Sequence, residues 1–118
     1  MKFTVSLNQN YEFRRVYARG RNVATPLVVL YCRKNGSKTN RFGITVGTKV
    51  GKAVYRNLIR RRLREIYRLN EDRFPAGWDI VAVARTRAKD APYAELEKYF
   101  LRAADRLGLL KQEAGERS

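Results

Sequence analysis

The chain has 118 residues, 44% of them hydrophobic, which suits one small domain burying roughly two thirds of its unfolded surface. It carries 26 Lys and Arg against 11 Asp and Glu, a formal net charge of +15, with no histidine and one cysteine, Cys32. That composition excludes an internal disulfide, a zinc site of the usual His/Cys kind and a histidine general acid or base, and no apolar run reaches the eighteen or so residues of a membrane span.

The opening MKFTVSLNQN lacks the apolar stretch of a secretory signal, so the chain is expected in a reducing cytoplasm, which suits a lone thiol. A first helix is predicted over about 9–18, capped by Asn8 and stopped by Gly20, with Phe13, Val16 and Tyr17 on one face. A short strand near 21–25 precedes PLVVLYCRK (26–34), a β-rich run between Pro26 and the Asn35-Gly36 turn signal. RFGITVGT (41–48) alternates Phe42, Ile44 and Val46 with small or polar residues, and these two runs are expected to pair as a hairpin. A helix is predicted from about 52 to 72, ending before Phe74-Pro75-Ala76-Gly77. WDIVAVAR (78–85) reads as a fourth strand, and a last helix follows Asp90 and Pro92, with Leu96, Phe100, Ala103, Leu107 and Leu110 at core spacing. The order αβββαβα points to an α+β fold, a small four-stranded mixed sheet packed with helices. Residues 1–110 form a single domain in this reading, and 111–118 (KQEAGERS) a disordered tail.

The charge is unevenly placed. Residues 1–70 hold 17 Lys and Arg but only two acids, Glu12 and Glu65, whereas residues 71–118 hold nine of each sign. Such a block favours nucleic acid or an anionic membrane. A membrane surface would need exposed bulky apolar residues, which the periodicity assigns to the core, so no membrane partner is expected. No helix-turn-helix pattern favours duplex DNA.

The densest part is KAVYRNLIRRRLREIYR (52–68), with six arginines, a lysine and a single acid. At about 100° per residue, Tyr55, Leu58, Ile59, Leu63, Ile66 and Leu69 gather on one side. Arg60, Arg64, Asn57, Arg68 and Arg61 gather within an arc of about 100° on the other, with Arg56 beside it. Arg62 lands among the apolar residues and is expected to snorkel. The crowded guanidiniums repel one another, and spaced phosphates would relieve that repulsion through paired N–H donors; a merely solvated basic face is the plainer alternative. Asn57 adds a group able to read a base edge or a 2′-hydroxyl. Upstream, GITVGTKVGKAV invites a P-loop reading, which fails because Val46 and Ala53 stand where the motif needs Gly and Ser or Thr. What remains is an open helix start with Lys49 and Lys52 beside it, suited to phosphate, or glycines that serve a tight turn only.

Lys49, Gly51, Ala53, Val54, Arg56-Asn57, Arg60-Arg61, Arg64 and Glu65 fall in a pattern that closely resembles the RNR signature of the bacterial ribonuclease P protein family. The likeness extends over nearly the whole chain in order and spacing; a departure is the opening MKFTVSLNQN, which holds only Lys2 where family members commonly carry a basic run. The resemblance implies an unusual left-handed βαβ crossover through the arginine helix, as in a domain of a small-subunit ribosomal protein; most such crossovers are right-handed. It implies a protein subunit that joins a catalytic RNA to remove the 5′ leader of precursor tRNA. Ribonuclease P RNA and leader-bearing precursor tRNA are the implied partners, and no protein partner is required. RNA contact then falls on Arg56, Asn57, Arg60, Arg61 and Arg64, with Lys49 and Lys52 alongside; Arg68 joins them from its place on the arc. Phe13, Tyr17 and Tyr31 match the family's aromatic positions in a leader-binding cleft, although Phe13, Val16 and Tyr17 also sit at ordinary core spacing. Aromatic faces stack on bases without demanding a sequence.

Two-metal phosphodiester chemistry needs clustered carboxylates, and the basic half offers only Glu12 and Glu65. Cys32 stands in an apolar strand, as a buried structural thiol would. No catalytic or metal-ligating residue is therefore assigned to this chain; Mg2+ is expected to be held mainly by the RNA. The competing classes are a structural ribosomal protein or general RNA chaperone, and a protein-only nuclease.

Overall fold

The computed structural model describes residues 4–111, so the tail expected over 111–118 lies outside the described residues apart from Lys111. Its elements run β1 (Thr4–Ser6), α1 (Asn10–Arg19), β2 (Arg21–Ala24), β3 (Val28–Lys34), β4 (Asn40–Val46), α2 (Ala53–Asn70), β5 (Trp78–Ala84) and α3 (Tyr93–Arg106). Short 3₁₀ turns at Thr48–Val50, Glu71–Arg73 and Thr86–Asp90 punctuate them. The sheet is mixed, as expected, but has five strands rather than four, in the order β1-β4-β5-β3-β2.

The extra strand is β1, parallel to β4 with Thr4 opposite Asn40 and Ser6 opposite Phe42. Three residues are too few to show a convincing alternation. Side chains hold the strand: the Thr4 hydroxyl donates to Glu71 (2.6 Å) and accepts from the Tyr67 hydroxyl (2.7 Å).

The expected hairpin between residues 26–34 and 41–48 does not form. β5 lies between β3 and β4, antiparallel to the first and parallel to the second. The reason is burial: Ile80, Ala82 and Ala84 of β5 enter one core cluster, while Val81 enters another and Val83 packs against it on the opposite face. A strand apolar on both faces belongs in the sheet's interior. The true hairpin joins β2 to β3, with Arg21 opposite Cys32 and Ala24 opposite Val29. β3 and β4 are instead linked by a loop that arches over the start of β5. There Gly77 adopts φ +92°, and a Cβ on it would stand 2.7 Å from the Ser37 carbonyl oxygen.

Helices cover both faces. α2 and α3 pack on the larger core, where Phe42 and Tyr67 stack at 4.3 Å and Phe74 and Phe100 close the cluster. α1 covers the other face through Val16 with Leu7 and Val81. Its cap is Gln9, not Asn8; Glu12 completes a capping box by accepting from the Gln9 amide at 3.0 Å. Arg41 of β4 clamps this helix to the sheet. It forks onto the fully buried Asp79 of β5 through Nε and Nη2, each at 2.7 Å, and reaches Glu12 through Nη1 at 2.6 Å. That pairing, chiefly the bond to Asp79, raises the Arg41 pKa further. Cys32 is buried, and desolvation pushes its thiol pKa up, as a structural thiol requires.

Candidate nucleic-acid interface

α2 is an 18-residue helix of about 27 Å at 1.5 Å per residue. Ile59, Leu63, Ile66 and Tyr67 are buried, while Asn57, Arg61, Arg64 and Arg68 are exposed on the other side. The buried stripe is narrower than the apolar side of the wheel. Leu69 is 57% exposed and Tyr55 40%, whereas Tyr67, at the margin of that side, is drawn in by stacking on Phe42. A helical wheel assigns residues to a side but does not know where the neighbouring sheet and helix stop.

The arginines differ in how much of their donor capacity is free. Arg68 forks onto Glu65 at 2.9 and 2.7 Å, and this bond lowers the Glu65 pKa and raises that of Arg68. Arg56 donates through Nε to the Gly51 carbonyl at 3.1 Å and so braces the turn before its own helix. Arg60 donates to Asn57 Oδ1 at 3.2 Å. Arg62, as expected of a snorkelling residue, is half-buried and bonds the Ala91 carbonyl at 3.3 Å. Arg61 and Arg64 have no ion-pair partner among the described residues.

The start of α2 adds lysines. Lys49 lies in the Thr48–Val50 turn and Lys52 is the helix N-cap, without a side-chain capping bond; both are exposed. Gly51 between them has φ +146°, so the turn itself requires glycine there. A third cation joins from far along the chain: Lys89 Nζ sits 4.6 Å from the centre of the Tyr55 ring.

The second feature is a cleft of about 500 Å³ between α1 and β4, lined by Phe13, Arg14 and Tyr17 of α1, Ile44 to Val46 of β4, and Arg60. It opens where β1 stops: β1 pairs with β4 only as far as Phe42, leaving the later residues at the sheet's outer edge. Of the residues at core spacing on α1, only Val16 is buried; Phe13 is half-buried and Tyr17 is 37% exposed. The Tyr17 hydroxyl shares a 2.7 Å hydrogen bond with Thr45, and its ring meets Tyr31 edge-on at 4.9 Å. Burial raises the Tyr17 pKa, which the Thr45 bond partly offsets. Tyr31 stands behind Tyr17, packed against Val16 and Val81, rather than on the cleft wall. A smaller neighbouring hollow is shared by Phe13, Gly43, Arg60 and Arg64.

The structure thus brings Phe13, Tyr17 and Arg60 together, keeps Asn57, Arg61 and Arg64 on an open face beside them, and engages Arg68 elsewhere. Sequence reasoning missed Asn10 and Arg14, although each stands three residues before an aromatic of the cleft, Asn10 before Phe13 and Arg14 before Tyr17, which puts them on the same side of α1. It also missed Lys89, for which no local signal exists.

The family profile described as Ribonuclease P matches residues 1–108 of the chain. A ribonuclease P protein component of Natranaerobius thermophilus is 40% identical over 112 residues, spanning 95% of this chain and 97% of its own. That of Clostridioides difficile is 43% identical over 96 residues, spanning 80% and 84%. Among solved structures, the Staphylococcus aureus RNase P protein superposes with a TM-score of 0.84 at 30% identity, over 90% of this chain and 97% of that one. The Thermotoga maritima RNase P protein gives 0.75 at 31% identity, over 82% and 92%.

Proposed function

The chain belongs to the ribonuclease P protein family, and we propose that two of its surfaces divide the work of that ribonucleoprotein. It is a protein component of ribonuclease P, part of the endoribonuclease that processes tRNA. In our reading, the open face of α2 lies on the catalytic RNA and the cleft between α1 and β4 holds the single-stranded 5′ leader of the precursor. The carrying observation is Arg60, which stands on the arginine helix and also lines the cleft. A leader threaded there passes directly from the RNA-bound face to the aromatic one.

Arg61 and Arg64, which have no ion-pair partner among the described residues, are suited to phosphates, each through two N–H donors. Lys49 and Lys52 extend the positive field beyond the helix start. Phe13 offers a ring for stacking at about 1–3 kcal/mol per base. Tyr17 offers ring and hydroxyl together, the hydroxyl held by Thr45. Magnesium held mainly by RNA phosphates supplies the hydrolytic chemistry. The protein lowers repulsion between the strands that converge there, so less magnesium is needed. The cytoplasm is the compartment we assign; no described helix is long and apolar enough to cross a membrane.

The test is reconstitution with a bacterial ribonuclease P RNA and labelled precursor tRNA at low magnesium. Charge reversal at Arg60 and Arg61 is expected to abolish stimulation by preventing assembly. Phe13→Ala or Tyr17→Ala is expected to weaken precursor binding while sparing mature tRNA. Equal losses for both tRNA forms would refute the leader cleft.

A further inference from the structure

A second basic groove lies at the far end of α2, between the Glu71–Arg73 turn and the outer side of α3. It measures about 640 Å³ and is lined by Arg73, Lys98, Leu101, Arg102, Asp105 and Lys111 among others. It shares no residue with the α1–β4 cleft. Four cations face one carboxylate, and among the described residues none of the four is ion-paired. Arg73 is half-buried, with its Nε covered by protein and its side chain on the groove wall. Lys98 and Arg102 are pre-positioned, each 5.5 Å from the centre of the Tyr99 ring that lies between them in sequence.

We propose that this groove is a second phosphate-binding surface, and that its ligand is the backbone of the catalytic RNA. The RNA is favoured over the leader by position. α2 and α3 cover one face of the sheet, so an RNA lying on Arg61 and Arg64 continues past the end of α2 onto α3, whereas the leader's cleft opens at the β4 edge between α1 and Arg60 and includes no residue of α3. The inference rests on the reading of α2 given above and extends it; the RNA contact is then a track along the α2/α3 layer, not one helix face.

The test measures binding of the full chain to ribonuclease P RNA across a salt series for the wild type, Lys98→Gln with Arg102→Gln, and Arg61→Gln with Arg64→Gln. Both α3 residues are exposed and glutamine is a good helix former, so thermal melting should be unchanged. The α3 pair is expected to flatten the slope of log K against log salt by roughly 1.5, as loss of two phosphate contacts requires. The difference in affinity between precursor and mature tRNA should stay as in the wild type. An unchanged slope for the α3 pair, with a flattened one for the α2 pair, overturns the groove but leaves the α2 reading standing; no change in either removes both. A changed precursor-to-mature difference places the tRNA in the groove and also overturns the proposal.

Discussion

The edge of the Phe13 ring occupies the space that a side chain on Gly43 would need. A Cβ there would stand 2.6 Å from Cε1 and 2.7 Å from Cζ of the ring, with Leu7 Cβ at 3.0 Å behind it. The ring therefore rests on bare backbone, and the absence of a side chain at Gly43 sets how closely Phe13, a wall of the cleft, lies on β4. Gly43→Ala is expected to push Phe13 outward, lower stability by about 1–3 kcal/mol through overpacking, and reduce the preference for precursor over mature tRNA. Thermal melting and paired binding measurements read the two effects; a shifted melting point with an intact preference would show that Phe13 does not shape the leader site.

Arg68 and Glu65 form an ion-paired fork on the arginine face. Removing the carboxylate should release Arg68 toward phosphate. Glu65→Gln is expected to steepen the salt dependence of RNA binding by somewhat under one unit, about one added contact. Arg68→Ala should weaken binding less than Arg61→Ala, because Arg68 must first leave its partner. Filter binding at three salt concentrations distinguishes these outcomes, and a larger loss for Arg68→Ala would contradict the ranking.

Asp79 is fully buried and is satisfied by Arg41 and by Asn35, which donates at 3.0 Å. Asp79→Asn leaves the Arg41 guanidinium without its main counter-charge. Because that side chain is itself 27% exposed, the loss should fall at the low end for a broken buried pair, about 3 kcal/mol. Urea denaturation should show a lower midpoint at unchanged slope. The same change loosens the tie to Glu12 on α1, so leader binding should decline more than RNA binding.

Burial raises the pKa of Tyr67, with the Thr4 hydrogen bond a smaller, opposing influence. A folded-state pKa above the unfolded value means that the unfolded chain loses this proton first. The corresponding stability is complete below about pH 10 and is lost as pH rises through the folded value. Denaturation midpoints should therefore fall steeply on the alkaline side. Tyr67→Phe should flatten that fall while costing about 1 kcal/mol at neutral pH for the lost hydrogen bond.

Much of this molecule is local in origin. The arginine stripe, the apolar faces of α2 and α3, the element order from α1 onward and the glycine turn before α2 are properties of short stretches of chain, and each was legible in the residues themselves. The family signature was legible for the same reason, since its charges and glycines lie within seventeen consecutive positions, Lys49 to Glu65. What periodicity cannot state is which element will cover an apolar face. The placement of β5 between β3 and β4 depended on its need for cover on both sides. β1 entered the sheet through Thr4, whose partners lie 63 and 67 residues away. The same limit applies to function. Charge at Arg60 and Arg68 was evident, but only the fold turned Arg60 into the wall of a cleft and tied Arg68 to Glu65, because a side chain's availability is settled by what stands within a few ångströms of it.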